Sequence, residues 1–438
     1  MKKVISLFLA MVMLILPVSA SAFSAFGAEY VKDCPNINVH GLMSATIYED
    51  KNDPDSKKIF EWSTDEILAL VKSCLPALSK FMLTYNYDKL ADELIPLAKD
   101  FFATSVIDGD GAVHNGSGVY FNYPPKEAIS RNSDLSFRYD WRADPMLAAE
   151  QLNDFINYVL EASGCEQVTI SCHSLGGVVT LSYIALYGDA KIKSVCFNPT
   201  AIYGETYAGE LLSGQLKLNA DAVQKFLQYV FDANEYEVLL NSLIDMLKKA
   251  GMLDFICCFG NRLIEKLSPR VLTEVVAPLC AGWLSIWDMC PDKDIDAAKE
   301  YMFNYIYKDD PLDRTELIKK IDAFTDTVRI NRETLLDNLN EHAKVYVIAR
   351  YGYSSIPITP SYLSLSDGVI DSKLSSFGAT CADYGTTLTD ELLSGIDQKY
   401  ISPEKTVNAS TCKFPEQTWF IYDYMHMRSK PEDMFEKL

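Results

Sequence analysis

Residues 168–179 read VTISCHSLGGVV, and this stretch limits the fold of the chain more than any other. A β-branched run enters it and small residues leave it, as where a strand turns sharply into a helix and holds a serine at the tip. The usual spacing for such a turn is G-x-S-x-G. Ser174 and Gly176 occupy the expected places, whereas Cys172 stands where the first glycine would be. That position must be small because strand and helix come close there, and cysteine is among the smaller side chains. Cys172 therefore reads as a tolerated substitution and an inert buried thiol.

The flanks extend the pattern. Asp144 can cap a helix whose first position suits Pro145. Apolar residues recur at Ala148, Leu152, Phe155, Ile156, Val159 and Leu160, which places one helix face on a core, and Gly164 closes the helix. Phe137–Trp141 reads as a strand end before it. A strand at Val168–Cys172, an apolar helix to Tyr187-Gly188 and a strand at Ile192–Phe197 follow. This β-α-β-α-β alternation predicts an α/β fold, a mostly parallel central sheet with helices on both faces.

Upstream, Asn36–Val39 reads as a strand running into His40-Gly41-Leu42, and helical patterns cover Ser63–Leu83 and Tyr87–Ala103. From 205 to 343 the texture is almost wholly helical, with apolar sets such as Val238, Leu239, Leu240, Leu243, Ile244, Met246 and Leu247. Strand texture returns at Val345–Ala349 and Thr418–Tyr422. The predicted organisation is a core in two parts, 23–204 and 344–438, around a helical insertion over 205–343.

Residues 1–22 have the layout of a secretory signal peptide. Lys2 and Lys3 precede a mostly apolar run from Val4 to Pro17, too short for a good membrane span, and Ala20-Ser21-Ala22 fits a cleavage site. Secretion, with cleavage near Ala22, is the expectation. A formal net charge of -20 argues against nucleic acid as a partner. Eleven cysteines are an odd number, with Cys381 and Cys412 the favoured disulfide pair. No His/Cys cluster has metal spacing. Asp108-Gly109-Asp110-Gly111 begins like a calcium loop but has Val119 at its twelfth position, so it reads as a turn. Neither cofactor nor metal is expected.

A serine hydroxyl is a weak nucleophile and needs a base in reach, with an acid to orient that base. In α/β-hydrolases these follow in the order Ser, Asp or Glu, His. Of five histidines, His342 sits in a helical pattern and reads as surface, whereas His426 follows the last strand-like run. Asp367, on the turn before Gly368, is the preferred acid and Asp371 its rival. Asp423 is expected to point elsewhere. The oxyanion of an acyl-transfer intermediate needs backbone N–H donors. Leu175, after the serine, is one candidate, and Leu42, after the first strand, is the other.

Four motifs in this order carry a resemblance: VHGL at 39–42, CHSLGG at 172–177, SDGVIDSKLSSFG at 366–378 and TWFIYDYMH at 418–426. They resemble the lipase-like branch of the α/β-hydrolases, and YDWR at 139–142 is similar to a fragment of lecithin–cholesterol-acyltransferase-like enzymes. The motifs cover residues 36–205 and 344–426. The resemblance implies an α/β-hydrolase fold in which 205–343 is a large all-helical cap. It implies Ser174 as nucleophile, Asp367 as acid and His426 as base, with Leu42 and Leu175 lining the oxyanion hole. Asp140 and Arg142 are expected to pair and brace the loop beside the serine.

The expected activity is that of a secreted serine hydrolase cleaving carboxylic esters of lipid-like or other apolar acyl groups, with the cap making transient lipid contact. Acyl transfer or amide cleavage on the same triad, and a non-catalytic binding protein on this scaffold, are the alternatives.

Overall fold

A computed structural model describes residues 33–61, 64–103, 106–231, 237–308 and 312–426. The expected leader over 1–22 and its cleavage site near Ala22 lie outside them. Among the described residues, no helix is long and apolar enough to cross a membrane.

The architecture is α/β. Six strands form one sheet: β1 Asn36–Val39, β2 Asp134–Phe137, β3 Val168–Ser174, β4 Ile192–Thr200, β5 Lys344–Tyr351 and β6 Thr418–Tyr422. Their order is β6-β5-β4-β3-β1-β2, and every neighbouring pair is parallel. Parallel neighbours need crossovers, and the helical stretches between strands supply them. The chain steps from β1 outward to β2, then returns to β3 on the other side of β1. That reversal opens a crevice at the carboxyl ends of β1 and β3, where ligands of open α/β sheets bind.

Local chemistry accounts for the elements beside this crevice. Helix α3, Pro145–Ser163, starts with the Asp144 side chain accepting from the Met146 N–H at 2.8 Å and ends at Gly164 with φ 66°. Its apolar stripe, including Leu152, Phe155, Ile156 and Val159, is fully buried. Helix α4, Leu175–Tyr187, is buried from Leu175 through Ile184, as an apolar helix on a covered sheet must be. The strand expected near 137–141 lies earlier, at Asp134–Phe137. Residues 139–141 leave the sheet to bond another loop: the Tyr139 hydroxyl donates to the His40 carbonyl at 2.7 Å, and the Trp141 indole N–H donates to that of Ala45 at 2.9 Å.

The helical residues from 206 to 342 fall into two groups by packing. Leu272, Trp283, Leu284, Trp287, Leu317, Ile321 and Leu336 join the same apolar core as the sheet. Helices between 220 and 271 instead build small clusters of their own, Val223, Leu227, Ile244, Leu253 and Cys257 in one. Leu263 belongs to another, with Phe81 of helix α1, Thr64–Thr84, and Leu90 of helix α2, Tyr87–Phe102. The expected Cys381–Cys412 bridge is absent, as both thiols are free, although both pack in one apolar cluster.

The tightest constraint lies at Gly176. A Cβ there would sit 2.1 Å from the Val39 carbonyl oxygen, on backbone that cannot give way. Gly164 also needs its glycine, for its left-handed backbone, but a Cβ there would meet nothing within 4 Å. Gly164→Ala is expected to cost about 1–2 kcal/mol of stability, the strain of a left-handed alanine. Gly176→Ala is expected to abolish soluble folded protein. Denaturant titration of both variants checks the contrast.

Candidate active site

Ser174 ends β3 and begins the turn into α4 with φ 56° and ψ -127°. A serine held in such a region stores about 1–3 kcal/mol of strain, tolerated only where the surroundings enforce it. They do so from two sides. Gly176 brings α4 against β1, and a Cβ at Gly177 would lie 2.4 Å from that of Thr200 on β4. Cys172 is buried, its thiol 3.5 Å from the Cys196 carbonyl. Burial pushes that thiol well above the usual range, so it is neither ionised nor nucleophilic at neutral pH.

The loop after β1 lies directly on the serine. A Cβ at Gly41 would be 2.5 Å from the Ser174 Cβ and 3.0 Å from its Oγ. The carbonyls of this loop point into fixed bonds, that of Gly41 with the Ser44 hydroxyl at 2.6 Å and that of His40 with Tyr139 at 2.7 Å. Among the described residues, no backbone acceptor takes the Leu42 N–H. Leu175 is the first residue of α4, so its N–H has no intrahelical acceptor. The segment at 139–142 braces the loop. Arg142, buried, makes a bidentate pair with Asp140 at 3.0 and 2.7 Å and donates to the Ser117 hydroxyl at 3.1 Å.

Asp367 and His426 meet after the ends of β5 and β6. The His426 Nδ1 lies 2.7 Å from Asp367 Oδ2, and both side chains are buried. The backbones join as well, His426 N–H donating to the Asp367 carbonyl at 2.8 Å. The other carboxylate oxygen accepts the Val369 and Ile370 N–H groups at 3.0 and 2.7 Å, which fixes the plane in which Oδ2 meets the imidazole.

The serine comes to this pair through its neighbour. The His173 ring lies 4.4 Å from that of His426. Burial first, then the adjacent His426 and Arg350, hold the His173 pKa well below its ordinary value, so its ring is neutral. Among the described residues no hydrogen bond joins the Ser174 hydroxyl to His426, whose ring bonds Asp367.

The other candidates are engaged elsewhere. The Asp371 carboxylate bonds the Thr206 hydroxyl. Asp423 accepts from the Tyr353 hydroxyl at 2.7 Å, and His342, exposed, contacts Asp189 at 3.1 Å. His40 is mostly buried and lowered to about 4, by burial first and then by the charge of Arg138. Among the described residues no group of three or more His, Cys, Asp or Glu side chains could hold a metal ion.

Sequence reasoning missed Arg350 and Asn198, both buried and bonded to each other at 3.1 Å beside the histidine turn. The signal was present in Val345-Tyr346-Val347-Ile348-Ala349-Arg350: a charge continuing an apolar strand needs buried partners.

No family model matches the chain, and no curated protein matches it. Among solved structures it is similar to one described as the Tle4-Tli4 complex, at 12% identity over 41% of this chain and 48% of that chain, with a TM-score of 0.23. A likeness that slight carries no argument about fold or function.

Burial pushes Asp371 up to about 6, with the nearby Asp367 charge a lesser cause. Its folded pKa thus exceeds that of the unfolded chain, about 3.9. Between these values the folded state holds the extra proton, so stability falls as pH rises through the window. Asp371→Asn removes the penalty. The variant is expected to be more stable than the wild type at pH ~7.5, by about 3 kcal/mol, and to converge with it below pH ~4. Thermal denaturation at the two pH values measures this.

Proposed function

We propose that the chain is a secreted serine hydrolase of α/β-hydrolase type that cleaves carboxylic esters, with Ser174 as nucleophile, His426 as base and Asp367 as acid. The observation that carries this reading is the buried 2.7 Å contact between His426 and Asp367, set at the same end of the sheet as a serine in a strained turn.

In the first step the Ser174 Oγ attacks the ester carbonyl while its proton passes to His426 Nε2. Asp367 keeps the other proton on Nδ1 and stabilises the imidazolium as it forms. The oxyanion takes hydrogen bonds from the Leu42 and Leu175 N–H groups, each worth about 3–4 kcal/mol in such sites. The intermediate collapses, the carbon–oxygen bond of the leaving group breaks, and His426 returns its proton to the departing alcohol. Water then attacks the acyl-serine with His426 again as base, releasing the carboxylic acid and restoring the serine.

The helical segment over 205–343 acts as the cap. Its outlying part, 220–271, supports an apolar acyl group as substrate, since Val238, Leu239, Met246 and Phe255 are exposed there.

A fluorophosphonate probe is expected to label the mature protein at Ser174, and Ser174→Ala to abolish both labelling and ester hydrolysis. An intact wild-type fold that refuses the probe would overturn the reading. Asp367→Asn, which presents the wrong group to Nδ1, is expected to lower kcat by about 10⁴-fold, the scale of the same change in a Ser-His-Asp triad. Long-chain p-nitrophenyl esters should be preferred over acetate, and the reverse preference would count against an apolar acyl pocket.

A further inference from the structure

We propose that Arg350 is a positioning residue for His426, holding the histidine turn at the height where its imidazole meets Asp367. The proposal rests on the hydrolase reading above and adds a residue that no motif in the chain points to.

Arg350 is the penultimate residue of β5 and is buried, with 2% of its surface exposed. One guanidinium nitrogen, Nη1, donates to two successive carbonyls of the histidine turn, Met425 and His426, both at 3.0 Å. The other, Nη2, donates to the Asn198 side chain on β4 at 3.1 Å. The Tyr424 ring lies against the guanidinium, 4.8 Å from carbon to centroid. The backbone of the same residue serves the acid loop, its carbonyl accepting from the Ser372 hydroxyl at 2.9 Å. One residue therefore ties the base-bearing turn, the acid-bearing loop and strand β4 together.

Chemistry explains why arginine stands here. The chain leaves the sheet after Tyr422, so the carbonyls of 425 and 426 have no strand partner, and buried carbonyls must find a donor. A guanidinium offers several donors in one rigid plane and can serve both carbonyls and an anchor at once, whereas an ammonium is a point donor on a flexible stem. Asp367 faces the guanidinium and partly offsets its charge. Without the anchor to Asn198 the turn would still be bonded to Asp367, but His426 would be free to pivot about that contact.

The test uses the mature chain with Arg350→Met and Arg350→Lys, read by melting temperature, by kcat and KM on a p-nitrophenyl ester, and by the downfield proton resonance of the His426–Asp367 hydrogen bond. Arg350→Met is expected to lower kcat about 100-fold, the scale of a misplacement of roughly 1 Å. KM should stay within about threefold and the resonance should be lost or broadened; Arg350→Lys should recover about tenfold of the lost kcat, as one donor partly replaces two.

Unchanged kcat and an intact resonance in Arg350→Met would overturn the proposal. If the Met variant does not fold, Arg350→Lys decides alone: lowered kcat with a broadened resonance supports the role, and wild-type values of both overturn it. Should the wild type neither react with a fluorophosphonate nor cleave esters, the hydrolase reading fails. The resonance then still decides the role of Arg350, supporting it if lost in the variants and overturning it if retained.

Discussion

Everything in the site depends on how closely α4 can approach β1. At Gly176 there is no room for a side chain, because the Val39 carbonyl oxygen lies 2.1 Å from where a Cβ would be. This contact lets the serine turn close in one step and forces Ser174 into its strained backbone. It also lays the loop after β1 on the serine, Gly41 lying directly against the Ser174 side chain. The strain is held by the apolar core that the inner strands share with α4, whose packing contributes far more than the few kcal/mol stored at the turn.

Buried guanidinium groups hold the irregular backbone elsewhere. Arg350 bonds the carbonyls of Met425 and His426, Arg332 that of Ile202 at 2.6 Å, and Arg329 that of Cys290 at 2.5 Å. Each of these carbonyls lies where a strand or helix has ended and the regular ladder offers no donor. Burying a cation is costly unless its donors are used. Where several backbone acceptors converge, one arginine satisfies them together and fixes their spacing. The same logic at Arg142 uses side-chain acceptors, Asp140 and Ser117, and stiffens the segment that in turn holds His40 and Ala45.

The parallel sheet was legible in the sequence because it follows from local patterns. Strand and helix periods alternate between 135 and 200, and Asp144, Pro145 and Gly164 mark helix ends by backbone chemistry that tertiary contacts do not override. The strand at 137–141 was misplaced because Tyr139 and Trp141 look like sheet residues. Their hydroxyl and indole N–H are instead committed to carbonyls nearly a hundred positions away, which no local pattern reveals. The meeting of Asp367 with His426 could be anticipated from chain order, but its geometry could not. It depends on an Asx-type turn at 367–370 and on a charge from β5 reaching under the histidine turn. Arg350 was marked only as a charge continuing an apolar strand, and its partner Asn198 made sense only once both were in place.

The helical segment is where pattern was least informative. Apolar periodicity announces a face to be covered without saying what covers it, and one sequence texture serves two kinds of packing here. Trp283, Trp287 and Leu317 join the core beneath the sheet. Val238, Leu239 and Met246 lie on the outer helices with their side chains in solvent, although their spacing resembles that of core positions. Leaving such residues exposed forgoes about 1.5–3 kcal/mol for each large side chain. In a chain of net charge -20, attraction of that face to an anionic surface would work against the overall field. A partner of that face would therefore be held by burial of apolar area rather than by charge.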